Sequence, residues 1–180
     1  VAIDDLELRV VAHVLRTLGR TLRSANWEVT AVIVGTDLIA VEPGDTTGAA
    51  YGVAYDLGTT TAVATLMDLT TGAPIAVASM LNKQQPFGAD VISRISSTML
   101  DPESLPKLQE LAQATLDELT QDVCTQAGVD PSSVYELALA GNATMAQLIL
   151  GIDPEPLAVA PYILATASYA DLLAAHLRVH

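Results

Sequence analysis

The chain has 180 residues, 51% of them hydrophobic and 16% charged, and carries a formal net charge of −13. That apolar content supplies an ample core and excludes disorder of the chain as a whole, while the acidic balance argues against nucleic acid as a partner, because neutralising phosphates needs clustered Lys and Arg. No apolar run approaches the ~20 residues that cross a bilayer, the opening VAIDDLELRV lacks the basic and apolar regions of a signal peptide, and a lone cysteine, Cys124, excludes an internal disulfide framework.

The first element runs from Leu6 to about Leu22. It places Leu8, Val11, Leu15, Leu18 and Leu22 at helical spacing and Arg9, Arg16, Arg20 and Arg23 on the other face. Those arginines read as a solvated face or as a surface for an acidic partner. Next, the β-rich runs Trp27–Val34 and Leu38–Val41, parted by Gly35-Thr36-Asp37, read as a hairpin. The turn-forming stretch Glu42–Ala50 marks a boundary, so residues 1–49 form one segment and 50–180 a second domain.

After the boundary, Tyr51–Leu57, Thr61–Asp68 and Ile75–Met80 read as three consecutive strands. A short helix over Gly88–Met99 and a longer one over Pro102–Ala127 follow. The longer one carries Leu108, Leu111, Leu116, Leu119 and Val123 on one stripe and is stopped by Gly128. Val134–Ala140 is a fourth strand that enters Gly141-Asn142 and a helix through Leu150. A three-strand meander followed by alternating helices and strand predicts an α/β fold with a mixed sheet covered by helices. The chain starts without methionine and ends on LLAAHLRVH, still in a helical pattern, so it reads as a piece of something longer.

The turn DLGTTT (56–61) raises the functional question. One reading is a hairpin turn that uses Gly58 for a positive φ, with threonines suited to strands. The other is phosphate contact. Successive N–H groups around a glycine, with hydroxyl donors, form a concavity for an anion. Asp56 would then hold Mg²⁺ through water, since a carboxylate repels phosphate. No GK[ST] is present, so this is not a Walker loop. In GADVISRI (88–95), Asp90 and Arg94 read either as a helix-dipole residue with its i,i+4 partner or as site residues beside the polar loop Asn82–Gly88. In GNATM (141–145), Asn142 reads as a helix cap, and equally as a ligand-facing group at a strand's carboxyl end. His13, His176 and His180 share no metal-ligand spacing and read as surface or packing residues, and Cys124 as a buried inert thiol.

DLGTTT between two strands resembles the first phosphate motif of the acetate and sugar kinase, heat-shock chaperone and actin superfamily. FGADVISRI (87–95), LAGNATM (139–145) and GIDPEPL (151–157) narrow the match. In that order and spacing they resemble the reductive activators of corrinoid proteins, over about residues 42–162. The resemblance implies a cytoplasmic, ATP-driven reductase with an N-terminal [2Fe–2S] domain, a linker, a middle domain and a two-lobed actin-like (ribonuclease H-like) ATPase. Residues 1–49 would end the small middle domain, and 50–180 would form the first ATPase lobe. By motif matching, Asp56 would be catalytic and hold Mg²⁺ through water, and Asp90 would also be catalytic. Gly58, Thr59, Thr60, Thr61, Arg94, Gly141, Asn142 and Thr144 would contact ATP. The partners implied are the nucleotide, an oxidised corrinoid protein of a methyltransferase system, and a second copy in a homodimer. The sequence departs from the family in lacking a cysteine cluster, so any [2Fe–2S] belongs to the parent and not to this chain. A second DxG phosphate motif and a glycine-rich adenosine motif after Tyr162 are also missing, so the isolated lobe is expected to be inactive. A small-molecule kinase of the same superfamily and a non-catalytic binding module are the alternatives.

Overall fold

The computed structural model describes residues 2–3, 6–166, 168–169 and 177. The helical pattern read at the very end of the chain, with His176 and His180, lies outside them. Two compact units divide the chain, Val1–Ala50 and Tyr51–His180.

In the first unit, β1 (Ala2–Ile3) pairs antiparallel with β2 (Leu6–Glu7). A second sheet has the order β3 (Arg9–Val10), β5 (Asp37–Pro43), β4 (Val29–Val34), with β3 parallel to β5 and β4–β5 a hairpin. Helix α1 (Ala12–Ser24) buries Val14, and Leu8 and Leu38 are likewise buried. The expected helix from Leu6 therefore starts six residues late. Leu8 lies between β2 and β3, and Val11 is the helix N-cap, because β3 hydrogen-bonds to β5 before the helix begins. Arg9 leaves the arginine face for the same reason: its Nε donates to Asp37 Oδ1 at 2.7 Å. That hydrogen bond, ahead of other influences, holds the Asp37 carboxyl below the usual range. Helix α1 ends with Asn26 at φ 50° and the Trp27 N–H donating to Leu22 O, so Asn26 fills the left-handed position glycine usually takes. The chain is still turning at Trp27, and β4 consequently starts two residues later than its β-rich composition suggests. His13 is exposed, and its Nε2–H donates to the Ile39 carbonyl.

The second unit is built on a mixed four-stranded sheet of order β8, β7, β6, β9. Strands β6 (Tyr51–Leu57), β7 (Thr61–Asp68) and β8 (Pro74–Leu81) form the antiparallel meander, and β9 (Val134–Gly141) lies parallel to β6. Period-two alternation buries Val53, Tyr55 and Leu57 of β6 and Ala62, Ala64 and Leu66 of β7, while Ala54 and Asp56 face out. Against the buried face pack α3 (Ser104–Ala127) and α4 (Ala143–Leu150). Leu108, Leu116, Leu119 and Val123 of α3 are wholly buried, each contributing about 1.5–3 kcal/mol by removal from water. Leu111 is only half-buried, and Ala112 takes the inner position beside Leu108. Gly128 stops α3 in the left-handed conformation, as expected, and Gly151 stops α4 in the same way. Helix α2 (Val91–Leu100) follows a short 3₁₀ turn at Gln85–Phe87. It begins three residues after Gly88, whose φ of 148° no helix accommodates. Among the described residues no helix is long and apolar enough to cross a membrane.

Candidate functional site

The site forms where the parallel strands β6 and β9 end side by side. Asp56 stands exposed near the end of β6, in register with Val63 of β7 and Ala140 of β9. One residue earlier, the buried Tyr55 hydroxyl hydrogen-bonds the Thr120 hydroxyl of α3, which fixes the strand end against the helix. The carboxyl edge of adjacent parallel strands is where open α/β sheets receive ligands.

Gly58 opens the turn, and its need for glycine is steric. A Cβ added there would lie 2.3 Å from the Thr61 carbonyl oxygen, a backbone atom that side-chain motion cannot clear. The expected positive φ is not what requires it: Gly58 is absent from the positive-φ glycines, and close approach decides. Gly141 at the end of β9 is also tight, since a Cβ there would meet Leu57 O at 3.2 Å.

Three successive turn carbonyls are held from the protein interior. Asn82 Nδ2 donates to Gly58 O at 2.9 Å, Arg94 Nη2 donates to Thr59 O, and the Asn82 backbone N–H donates to Thr60 O at 2.8 Å. In a planar trans peptide the N–H points opposite its carbonyl. The N–H groups of Thr59, Thr60 and Thr61 therefore point away from Asn82 and Arg94. The Thr60 and Thr61 side chains are exposed and that of Thr59 is half-buried. N–H groups turned away from these anchors, with threonine hydroxyls beside them, are donors of the kind that receive an anion.

Arg94 lies beneath this turn with no exposed surface. Besides Thr59 O, it donates from Nε to Gly88 O at 3.0 Å and from Nη1 to Gln84 Oε1 at 3.0 Å and Met145 Sδ at 3.3 Å. Burial lowers its pKa from the ordinary guanidinium value, and nearby Asp90 opposes this. The i,i+4 pairing of Asp90 with Arg94 that the spacing suggests is replaced by two separate tasks. Asp90 caps α2 in a reciprocal capping box with Ser93, its Oδ1 accepting from the Ser93 N–H at 2.9 Å. That bond, first among several, holds its carboxyl below the ordinary range.

Asn142 does both things its sequence context allows. Its Oδ1 caps α4 by accepting from Met145 N–H at 3.0 Å, and its Nδ2 donates to Thr59 Oγ1 at 3.1 Å, tying GNATM to the turn. Thr144 is buried in the first turn of α4. The structure thus brings Asp56, Gly58, Thr59, Thr60, Thr61, Arg94, Gly141 and Asn142 into one neighbourhood. Asp90 is not joined to the turn by any hydrogen bond among the described residues. Asn82 and Gln84 escaped sequence reasoning as individuals. Both are wholly buried, and Gln84 Nε2 also donates to Leu108 O at 2.8 Å. The only signal was the polar loop that contains them.

Asp56 is the one carboxylate in the 56–61 turn, and among the described residues no group of three or more His, Cys, Asp or Glu side chains gathers to hold a metal ion. This fits Mg²⁺ held through water and substrate phosphates rather than an all-protein cage. An iron–sulfur cluster does not fit these residues. Cys124 is buried on α3, where burial, ahead of the nearby Asp130 charge, pushes its thiol pKa up and so disfavours the thiolate.

A family model described as the RACo middle region matches residues 51–180, and one described as the RACo linker region matches residues 2–48. The corrinoid activation enzyme RamQ of Eubacterium limosum is 45% identical over 113 residues, which are 63% of this chain and 19% of that protein. A solved structure titled a reductive activator for corrinoid, iron–sulfur protein superposes with a TM-score of 0.82 at 32% identity, covering 96% of this chain and 28% of the other. The chain therefore spans only about a fifth of that curated relative and little more than a quarter of that solved structure. With most of its length matched by these models, the chain belongs to the RACo family.

Proposed function

We propose that this chain is part of an ATP-dependent reductive activator, which drives an electron from an iron–sulfur cluster elsewhere in the parent protein onto an oxidised corrinoid protein of a methyltransferase system. Residues 50–180, where the middle-region model matches, supply the first lobe of an actin-like ATPase domain, and residues 1–49, where the linker-region model matches, the segment that leads into it. The single observation that carries this reading is the meeting of DLGTTT, the Asn82–Arg94 segment and GNATM around one turn whose carbonyls are bound from within. The names of the two relatives support the corrinoid protein as partner.

In this mechanism the N–H groups and hydroxyls of Thr59–Thr61 receive the phosphates, and Asn142 holds Thr59 in place. Asp56 would hold Mg²⁺ through water, and the ion would supply neutralisation of the phosphate charge. Asp90 sets the start of α2 at the rim of the site. Nucleotide held between this lobe and a second one biases a closed state, and opening on hydrolysis alters the grip on the corrinoid protein. The proposed setting is the cytoplasm, with the parent acting as a homodimer.

The test is ATP turnover by the full-length protein. Asp56→Ala is expected to reduce turnover to background while the protein remains folded, and turnover at the wild-type rate would refute the role given to the aspartate.

A further inference from the structure

Arg94 is buried completely and has no carboxylate at ion-pair distance among the described residues. Desolvating an unpaired cation is costly, and an apolar side chain would fill the same space on α2 more cheaply. The cation's acceptors are all neutral: the carbonyls of Thr59 and Gly88, the Gln84 amide oxygen and the Met145 sulfur. Every one of them belongs to a segment framing the turn, and two of them are main-chain atoms that no substitution removes. Asn82, equally buried, repeats the arrangement one peptide earlier and one peptide later. Gln84 joins the two, because its Oε1 also accepts from Asn82 Nδ2 at 3.3 Å.

We propose that Arg94, supported by Asn82 and Gln84, is a positioning residue for phosphate binding. It never touches the ligand. Its Nη2 fixes the plane of the Thr59–Thr60 peptide while Asn82 fixes the planes on either side, and its Nε ties the turn to Gly88, so that the turn and the start of α2 hold one geometry. A cation on the Thr59 carbonyl also polarises that peptide and strengthens the Thr60 N–H as a donor. Lysine does not substitute, because a single ammonium lacks the planar fork that reaches several acceptors in fixed directions. The inference rests on the phosphate reading of the 58–61 turn.

The experiment measures steady-state ATPase kinetics and thermal melting of the full-length protein, with Arg94→Lys, Arg94→Met and Asn82→Ser beside wild type. Serine at 82 retains an acceptor for the Gln84 N–H but is too short to reach Gly58 O. A positioning role raises KM for ATP about tenfold in Arg94→Lys, in the range of a lost charge-assisted hydrogen bond, with a smaller rise in Asn82→Ser. A merely structural role lowers kcat in proportion to the folded fraction and leaves KM unchanged, and that result overturns the inference. Should both Arg94 variants fail to fold, Asn82→Ser decides alone: an unchanged KM in the folded protein is equally fatal. A wild-type protein without ATP turnover would instead refute the phosphate reading itself, and the inference with it.

Discussion

Gly58→Ala is the smallest perturbation that tests the turn. The added carbon would sit 2.3 Å from the Thr61 carbonyl oxygen, whereas real Cβ contacts essentially never fall under 3.0 Å, so a retreat of about 0.7 Å is the minimum. The obstacle is main chain, and the carbonyls of residues 58, 59 and 60 are anchored by Asn82 and Arg94. The turn therefore cannot slide as a unit. It must open between Gly58 and Thr61, or break an anchor. Overpacking of this kind costs about 1–3 kcal/mol of stability. The loss of function is larger, since misplacing a positioned group by about 1 Å costs on the order of 10²-fold. Calorimetric titration of the full-length protein with MgATP, paired with urea unfolding, reads both quantities. Gly48→Ala is the control, because a carbon added there meets nothing within 4 Å. Affinity within about twofold of wild type in a folded Gly58→Ala protein would show that the close approach is not needed and would refute the argument.

Two further predictions concern pH. Burial, opposed by the Thr120 hydrogen bond, pushes the Tyr55 phenol from 10.0 up to about 12. Its neutral form is thus favoured by folding, and the stability it lends is complete below pH 10 and lost as pH rises toward 12. Unfolding midpoints should fall across that window and fall less steeply in Tyr55→Phe. Equal slopes would place the phenol in solvent. Asp90 behaves oppositely: its capping bond to Ser93 holds the carboxyl below the ordinary 3.8, so its contribution is present above that pH and lost as pH falls through the folded value. The gap between wild type and Asp90→Ala in urea midpoint should hold steady above the ordinary 3.8 and shrink as pH falls below it, and a gap that stays constant there would show that the carboxylate does not cap α2.

How much of this was legible depends on which residues are considered. Strands β6 and β7 begin and end where period-two alternation and the DLGTTT break put them, because a half-buried strand writes its register into the sequence. Gly128 could be read for the same reason, since its αL position has a local chemical requirement. Around α1 the local signal failed. Leu8 is buried in both the expected and the observed arrangement, and only long-range pairing of β3 with β5 decides between helix and strand. At the site, Asp56 and the glycine could be singled out because a carboxylate and a bend have no packing reason to sit at a strand end. Asn82 and Gln84 could not, because an amide in a polar loop looks solvated until the fold encloses it. Arg94 shows the limit most clearly. Its spacing from Asp90 offers a local partner, and tertiary structure overrides it with carbonyls 35 and 6 residues away.

The central claim is that the turn at Gly58–Thr61, beside Asp56, receives the phosphates of a magnesium-bound nucleotide. A crystal structure of the full-length protein with Mg²⁺ and a non-hydrolysable ATP analogue tests it directly. The account predicts phosphate oxygens within hydrogen-bond distance of the Thr59, Thr60 and Thr61 N–H groups and an Asp56-bound water on the metal. Phosphates bound elsewhere, with those N–H groups facing solvent, would contradict it.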